Sequence, residues 1–127
     1  MRKVLFAAFS AALVAFAGVA SAQTPSIQIG KSAKGKVLTN ASGMTLYTFD
    51  KDKDGKSACY GACAFNWPPF YAFLGAQPSG RYSLAARTDG GSQWAYKGKP
   101  LYTWAKDQRP GDITGDGVNK VWHVARP

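Results

Sequence analysis

Leu46-Tyr47-Thr48-Phe49-Asp50-Lys51-Asp52 recurs later in the chain as Leu101-Tyr102-Thr103-Trp104-Ala105-Lys106-Asp107. The offset is 55 residues, 101 less 46, and the same offset pairs Gly43 with Gly98 and Trp67 with Trp122 without a gap. Matches of two tyrosines, two aspartates and two tryptophans in one register are improbable by chance. The repetition predicts two structural units that bury an aromatic face against each other.

The repeated motif has the form Tyr-x-aromatic-x-x-Asp. On a strand, Tyr47 and Phe49 share one face, and the second copy repeats this arrangement. The aspartate falls just past the strand, where its carboxylate can accept backbone N–H bonds or the hydroxyl bond of a half-buried tyrosine. We interpret the motif residues as structural rather than catalytic. They are Tyr47, Phe49, Asp52, Trp67, Tyr102, Trp104, Asp107 and Trp122.

The chain is poor in helix formers, because it has no Glu and many Gly, Tyr, Trp, Thr and Val. We predict an all-β fold with a short helix near the cysteines, its two pseudo-symmetric tandem repeats forming a small antiparallel β-sandwich or barrel. Residues 23–127 form one domain, with repeat one at about 37–70 and repeat two at about 92–127. The predicted elements are a leading strand at 27–29, hairpins of 37–39 with 45–49 and of 93–96 with 101–104, a helix within 57–65, and strands at 81–87 and 120–125.

The N-terminus has the features of a cleaved signal peptide. Arg2 and Lys3 precede an apolar run over residues 4–20, and small residues at Ala20 and Ala22 give a cleavage site after Ala22. The alternative is an uncleaved anchor, although 17 apolar residues, counted from 4 to 20, are short for a membrane span. We predict a periplasmic or secreted protein with no transmembrane segment after cleavage of residues 1–22.

Cys59 and Cys63 are the only cysteines. In an oxidising compartment this pair is most simply a local disulfide, since residues four apart in a helical turn lie within disulfide reach. A redox pair, a metal pair and a haem site are the alternatives. The thioredoxin and haem motifs both need two intervening residues, and this pair has three.

The repeated motif, the stretch Cys59-Tyr60-Gly61-Ala62-Cys63-Ala64-Phe65-Asn66-Trp67-Pro68-Pro69 and the closing Val121-Trp122-His123 resemble one family. It is the bacterial secreted-repeat family of predicted lipoproteins with a Yx(FWY)xxD motif. The resemblance covers nearly all of the chain after residue 22 and implies export and a tandem repeat. It implies no biochemical activity and no catalytic residues. This chain lacks the cysteine that lipid attachment at the cleavage site requires.

Two sets of residues are candidates for a metal site. Asp50, Asp52 and Asp54 precede Gly55 like the opening of a calcium-binding loop, but the twelfth position is Gly61 where a glutamate belongs. His123, the only histidine, is a candidate ligand of copper or zinc together with Met44 and the two cysteines. A solvated turn suits the aspartates better because lysines alternate with them. We therefore predict neither a metal nor a cofactor.

The charge indicates the kind of partner. Without Arg2 and Lys3 the sixteen basic residues become fourteen against seven aspartates, a net charge of +7. The cations are scattered, which suits a solvated surface. As a partner, an anionic envelope polymer or a glycan suits this charge, and export argues against nucleic acid.

The leading hypothesis is a non-enzymatic envelope or periplasmic protein that binds or scaffolds. The first alternative is a metal or redox accessory protein using Cys59, Cys63 and His123. The second is an enzyme, although no G-x-S-x-G elbow is present.

Overall fold

The computed structural model describes residues 25–127, so the predicted signal peptide lies outside the described residues. Short strands dominate this part of the chain, and a single turn or two of helix follows each motif. The elements in chain order are β1 (Gln28–Ser32), β2 (Gly35–Thr39), β3 (Tyr47–Phe49), α1 (Ala62–Asn66), β4 (Tyr82–Ala86), β5 (Ser92–Tyr96), β6 (Lys99–Pro100), a 3₁₀ turn (Val118–Lys120) and β7 (Trp122–Val124).

The strands form three small antiparallel sheets, with orders β1-β2, β3-β7 and β4-β5-β6. The β-rich fold with one short helix near the cysteines, predicted from the sequence, is confirmed. The β1-β2 hairpin of the first half and the β4-β5 hairpin of the second half occupy equivalent places in the two halves. In each hairpin the first strand pairs antiparallel over five residues with the second.

The central pairing runs between the two halves of the chain. Strand β3, in the first half, pairs with β7, at the end of the second half, and Phe49 lies opposite Trp122. The equivalent bridge joins Tyr102 of the second half to Pro69 of the first. Each motif strand is therefore completed by the other repeat, not by its own.

Both predicted motif hairpins end earlier than the sequence indicated. In the first, Leu46 still donates to the carbonyl of Leu38, and in the second, Leu101 donates to Trp94, both at 2.9 Å. The next residue in each copy, Tyr47 or Tyr102, turns its backbone to the other copy. The predicted strand pairing of residues 45–49 with 37–39 and of 101–104 with 93–96 is therefore wrong beyond these leucines.

The predicted helix is present, but it begins later in the chain and is shorter than the segment in which it was expected. The helix was expected within 57–65, whereas α1 covers only Ala62–Asn66. Ala58 and Cys59 are held out of the helix because their backbone N–H groups bond to side chains. The Asp52 carboxylate accepts the N–H of Ala58 at 2.7 Å, and Ser57 Oγ accepts that of Cys59 at 3.1 Å.

Two apolar clusters lie on the two faces of the motif strands. Tyr47 and Tyr102 belong to the first cluster, whereas Leu46 and Leu101 belong to the second. This alternation is the one that the sequence predicts for strands with a period of two. All four side chains are fully buried.

The first cluster contains a continuous stack of four aromatic rings. The ring centroids are 4.1 Å apart for Phe49 and Trp122, 3.8 Å for Trp122 and Trp67, and 3.9 Å for Trp67 and Trp104. The order of the stack is symmetric, because the two inner tryptophans and the two outer rings are equivalent positions of the repeat. Rings from the two halves alternate, so the stack joins the repeats.

Gly115 is the backbone position that lets this stack close. A Cβ added there would lie 2.7 Å from Trp67 Cη2 and 3.0 Å from Trp104 Cγ. We expect Gly115→Ala to lower the free energy of unfolding by about 1–3 kcal/mol, the usual effect of overpacking. Urea unfolding followed by tryptophan fluorescence measures the loss. A variant as stable as the parent protein would show that the stack tolerates displacement.

Candidate functional site

The tyrosines and aspartates of the two motifs bond reciprocally. Tyr47 Oη donates to Asp107 Oδ2 at 2.5 Å, and Tyr102 Oη donates to Asp52 Oδ2 at 2.7 Å. The backbones of the two tyrosines also exchange N–H···O bonds with each other, at 2.7 and 3.0 Å. We call this arrangement of Tyr47, Asp107, Tyr102 and Asp52 the Tyr–Asp clasp. The sequence predicted a tyrosine partner for the aspartate, and the structure takes that partner from the other repeat.

The second oxygen of each clasp carboxylate closes a loop in its own repeat. Asp52 Oδ1 accepts the N–H of Ala58 at 2.7 Å. Asp107 Oδ1 accepts both the N–H and the hydroxyl of Thr114, at 3.0 and 2.6 Å. Each aspartate therefore fixes a local loop and the opposite repeat at once.

The two phenols of the clasp are held in their protonated form. Burial, reinforced by the hydrogen bond to Asp107, raises the pKa of Tyr47 far above its ordinary value. Burial likewise raises the pKa of Tyr102, and it raises that of Asp52 above the ordinary carboxyl value. Both phenols stay protonated as donors at physiological pH, which suits a structural role and not that of a general base.

Cys59 and Cys63 form the predicted disulfide, with their Cα atoms 5.2 Å apart. Both belong to the cluster around the aromatic stack. The equivalent positions in the second repeat are Thr114, which bonds to Asp107, and Val118, which packs on the same cluster. Because both sulfurs are in the disulfide, this structure does not favour the metal or redox alternative that needs Cys59 and Cys63 as thiolates.

The structure separates the candidate metal ligands. Asp52 is engaged in the clasp, whereas Asp50 Oδ2 bonds to His123 Nε2 at 2.7 Å on the surface. Asp54 sits in the turn with a positive φ of 54° and an exposed side chain. Within residues 25–127 no three acidic, histidine or cysteine side chains are grouped so that they could hold a metal ion.

Arg87 is a buried residue that the sequence reasoning did not single out. Its guanidinium donates to Gln93 Oε1 and to the carbonyl of Cys59, both at 2.8 Å, and to Ser57 Oγ at 2.9 Å. Ser57 Oγ in turn bonds to the Tyr102 hydroxyl at 2.7 Å. Arg87 therefore ties the disulfide loop and strand β5 to the clasp. The only sequence signal was a break in the repeat, since Ser32 occupies the equivalent position.

The exposed aromatic side chains lie outside the repeated motif. Tyr60 and Tyr71 have their rings against the Arg87 guanidinium, with its Cζ 4.4 and 5.8 Å from the ring centroids. Large exposed apolar side chains concentrate over residues 65–74, at the end of the first repeat and in the linker that follows. They are Phe65, Tyr71, Phe73 and Leu74, with relative exposures of 82%, 50%, 81% and 103%. We call these four residues the aromatic segment; Trp67, which lies between them in the chain, belongs to the buried stack.

The clasp and the aromatic stack identify the general class of this protein. It is a doubled β module in which the residues shared by the two copies hold the fold. No described helix is long and apolar enough to cross a membrane. The family described as "Secreted repeat of unknown function" matches the chain twice, at residues 28–71 and 83–126. The chain belongs to this family, as the resemblance of its motifs indicated. The matched segments include β1 and most of β4, and so begin before the repeat bounds predicted from the sequence. Comparison with curated proteins and with solved structures finds no match.

Removal of a clasp hydroxyl tests the structural reading. We expect Tyr47→Phe to lower the free energy of unfolding at neutral pH by about 1–3 kcal/mol, because a buried carboxylate oxygen loses its donor and the Gly115 N–H loses its acceptor.

The clasp also predicts a pH dependence. The unfolded chain releases its tyrosine protons above about pH 10 and the folded chain retains those of Tyr47 and Tyr102, so stability is fully present below that pH and falls as the pH rises further.

Urea unfolding between about pH 8 and pH 11 measures this slope. Tyr47→Phe removes one of the two retained protons, so its stability should fall less steeply with alkaline pH than that of the parent protein. Tyr60→Phe is the matched control. Its hydroxyl accepts the backbone N–H of Thr88, which lowers its pKa, so the substitution should not flatten the slope. Equal slopes for the parent and Tyr47→Phe would contradict the clasp.

Replacement of Arg87 tests the link between the disulfide loop and the clasp. We expect Arg87→Lys to lower the free energy of unfolding by about 2–3 kcal/mol, because an ammonium cannot reach Gln93, Cys59 and Ser57 in the fork geometry of the guanidinium. Thermal and urea unfolding provide the measurement. Asp89→Asn is the control, since that carboxylate is largely at the surface and its loss should have a much smaller effect. Equal losses for the two variants would assign the role of Arg87 to its ion pair alone.

Proposed function

We propose that this secreted repeat is a non-enzymatic binding or scaffolding module of the cell envelope, located in the periplasm or outside the cell. The observation that carries the proposal is that the aromatic side chains fall into two groups with different roles. Those of the motif form the clasp and the stack. Those of the aromatic segment are exposed, lie within ten residues of one another in the chain, and belong to neither the clasp nor the stack.

An exposed apolar surface of this kind is typical of an interaction site. Most soluble proteins bury phenylalanine and leucine side chains like those of Phe73 and Leu74, or expose them singly. Aromatic residues are also enriched where proteins contact their partners. Exposure of Tyr71, Phe73 and Leu74 in one short stretch therefore supports a contact surface in the linker between the repeats.

The charge supports an anionic or carbohydrate partner. The chain after residue 22 carries +7, and the ion pairs of the described residues engage only Lys34 and Arg87 among its lysines and arginines. The remaining positive charge raises the local concentration of anionic polymers near the surface. Aromatic rings supply flat apolar faces for sugar rings. An anionic envelope polymer or a glycan is therefore the partner class we propose.

The polar groups of the fold support a non-enzymatic role. Across the described residues every buried side-chain nitrogen and oxygen has a hydrogen-bond partner. The nucleophiles nearest to a buried charge, Ser57 and Tyr102, are held by two or more bonds each. Groups so fully engaged stabilise a fold and are poorly placed to accept a substrate proton.

Retention on envelope polymers tests the proposal. The protein lacking residues 1–22 is applied to peptidoglycan sacculi and, separately, to an immobilised anionic polysaccharide. We expect retention on at least one of them that weakens as the salt rises from about 0.05 M to about 0.5 M, because the ionic part of binding is screened. The double variant Phe73→Ser with Leu74→Ser should lose the part of retention that salt does not remove.

Ile29→Ser is the matched control. Ile29 is also apolar and 62% exposed, but it lies on β1, outside the aromatic segment. It should leave retention unchanged. Equal retention of the double variant and the parent protein, or the absence of retention on both materials, would overturn the assignment of this surface. Two free thiols on titration of the exported protein would instead revive the redox alternative.

A further inference from the structure

A groove at the second apolar cluster, on the face of the motif strands away from the aromatic stack, combines apolar and polar lining residues as ligand sites do. It has a volume of 530 Å³ and opens between the outer strands of the two repeats. Leu38 at its base and Tyr96 at its side belong to the second apolar cluster, and Ile27 and Tyr82 pack against that cluster. The groove is therefore the place where the inter-repeat core reaches the surface.

Equivalent positions of the two repeats line the groove on its two sides. Ile27 and Tyr82 are equivalent positions, 55 residues apart, and both line it. Pro25 and Gly80 form a second equivalent pair in the lining. The backbone walls are thus contributed equally by the two repeats, and any difference in chemistry between the walls comes from the side chains.

The two walls differ by one positive charge. Arg81 lines the groove on the second repeat, and the equivalent residue of the first repeat is Ser26. The Arg81 guanidinium donates to the Tyr96 hydroxyl at 3.5 Å, and Lys97 Nζ lies 5.2 Å from the centroid of the same ring. One cation and one phenol therefore line the same wall, with Lys97 beside the phenol ring, and no lining side chain is acidic.

We propose that this groove binds an amphipathic anion: a linear acyl chain that lies along the isoleucines, Leu38 and the tyrosine rings, with a carboxylate or phosphate head at Arg81. The volume lies within the range of about 300–1,000 Å³ that is typical of small-molecule sites, and such sites combine apolar walls with a few polar groups. A guanidinium pairs with a carboxylate or a phosphate through two parallel N–H···O bonds. Among residues 25–127, one side-chain bond engages the Arg81 guanidinium, which leaves four of its five N–H donors for such a pair.

The ligand is distinct from the polymer of the proposed function. The groove residues lie on or beside β1, β2, β4 and β5 and at Pro127, and none of them belongs to the aromatic segment. Ile29, which is 62% exposed, lines the groove. An exposed isoleucine on an otherwise polar strand gains a role when an acyl chain covers it.

Isothermal titration of the protein lacking residues 1–22 tests the site. The probes are sodium dodecanoate, dodecyl phosphate, neutral dodecanol and sodium acetate, each below its aggregation concentration. We expect one or both anionic amphiphiles to bind, dodecanol to bind at least about tenfold more weakly, and acetate not to bind, because both the head and the chain contribute. Preference between the two heads distinguishes a free fatty acid from a phosphorylated lipid as the source.

Two variants separate the contributions of head and chain. Arg81→Gln should weaken the anionic probes by about tenfold and leave dodecanol unchanged. Ile29→Ser should weaken both the anionic probes and dodecanol. Both residues are exposed, so neither variant endangers folding, and the double variant of Phe73 and Leu74 should bind all probes like the parent protein. Equal affinity for dodecanoate and dodecanol, unchanged affinity in Arg81→Gln, or no binding of any amphiphile would overturn the proposal without touching the polymer assay.

Discussion

The reciprocal bond between each tyrosine and the aspartate of the other repeat is the constraint on which the rest of the structure depends. A phenol and a carboxylate that are both buried must find each other, since either group left alone would lose its hydrogen bonds to water without replacement. The exchange satisfies Tyr47 and Tyr102 at once and sets the distance between the two repeats. The backbone pairing of the tyrosines, the aromatic stack and the crossed strands β3-β7 all follow from that distance.

Sequence reasoning found the parts of this arrangement that are periodic. The offset of 55 residues exposed the repeat, and the alternation along each motif assigned Tyr47 and Leu46 to opposite faces. It also gave the tyrosine hydroxyl to an aspartate. It could not say which aspartate, because a local and a crossed pair have the same sequence. The same ambiguity explains the two overlong hairpins: the leucine before each tyrosine continues the local ladder, and nothing in the sequence marks the tyrosine as the point of departure.

Two features that sequence reasoning missed break the repeat: Arg87 stands where the first repeat has Ser32, and Arg81 stands where it has Ser26. The disulfide between Cys59 and Cys63, which the sequence did predict, is a third difference between the copies, since the second repeat has Thr114 and Val118 there. A buried arginine has no local signature, because its burial depends on acceptors contributed by residues 30 positions earlier in the chain. The shared residues thus describe the scaffold, and the differences between the copies locate the surfaces where the two proposed ligands would bind. A comparison of the two repeats is therefore more informative about function than either repeat alone.

The crossed clasp also has a consequence for how the chain matures. The bonded pairs are separated by 60 and 50 residues, so the loop of the first repeat has no hydroxyl to close on until residue 102 is free. A chain that crosses a membrane with its N-terminus leading would present its first repeat as an open strand until the second had followed. We expect the two halves to reach their final form together, because the contacts that join them are distant in the chain, unlike a solenoid, whose units can form one after another. We expect this order to keep the chain threadable during export and to delay its rigid form until passage is complete.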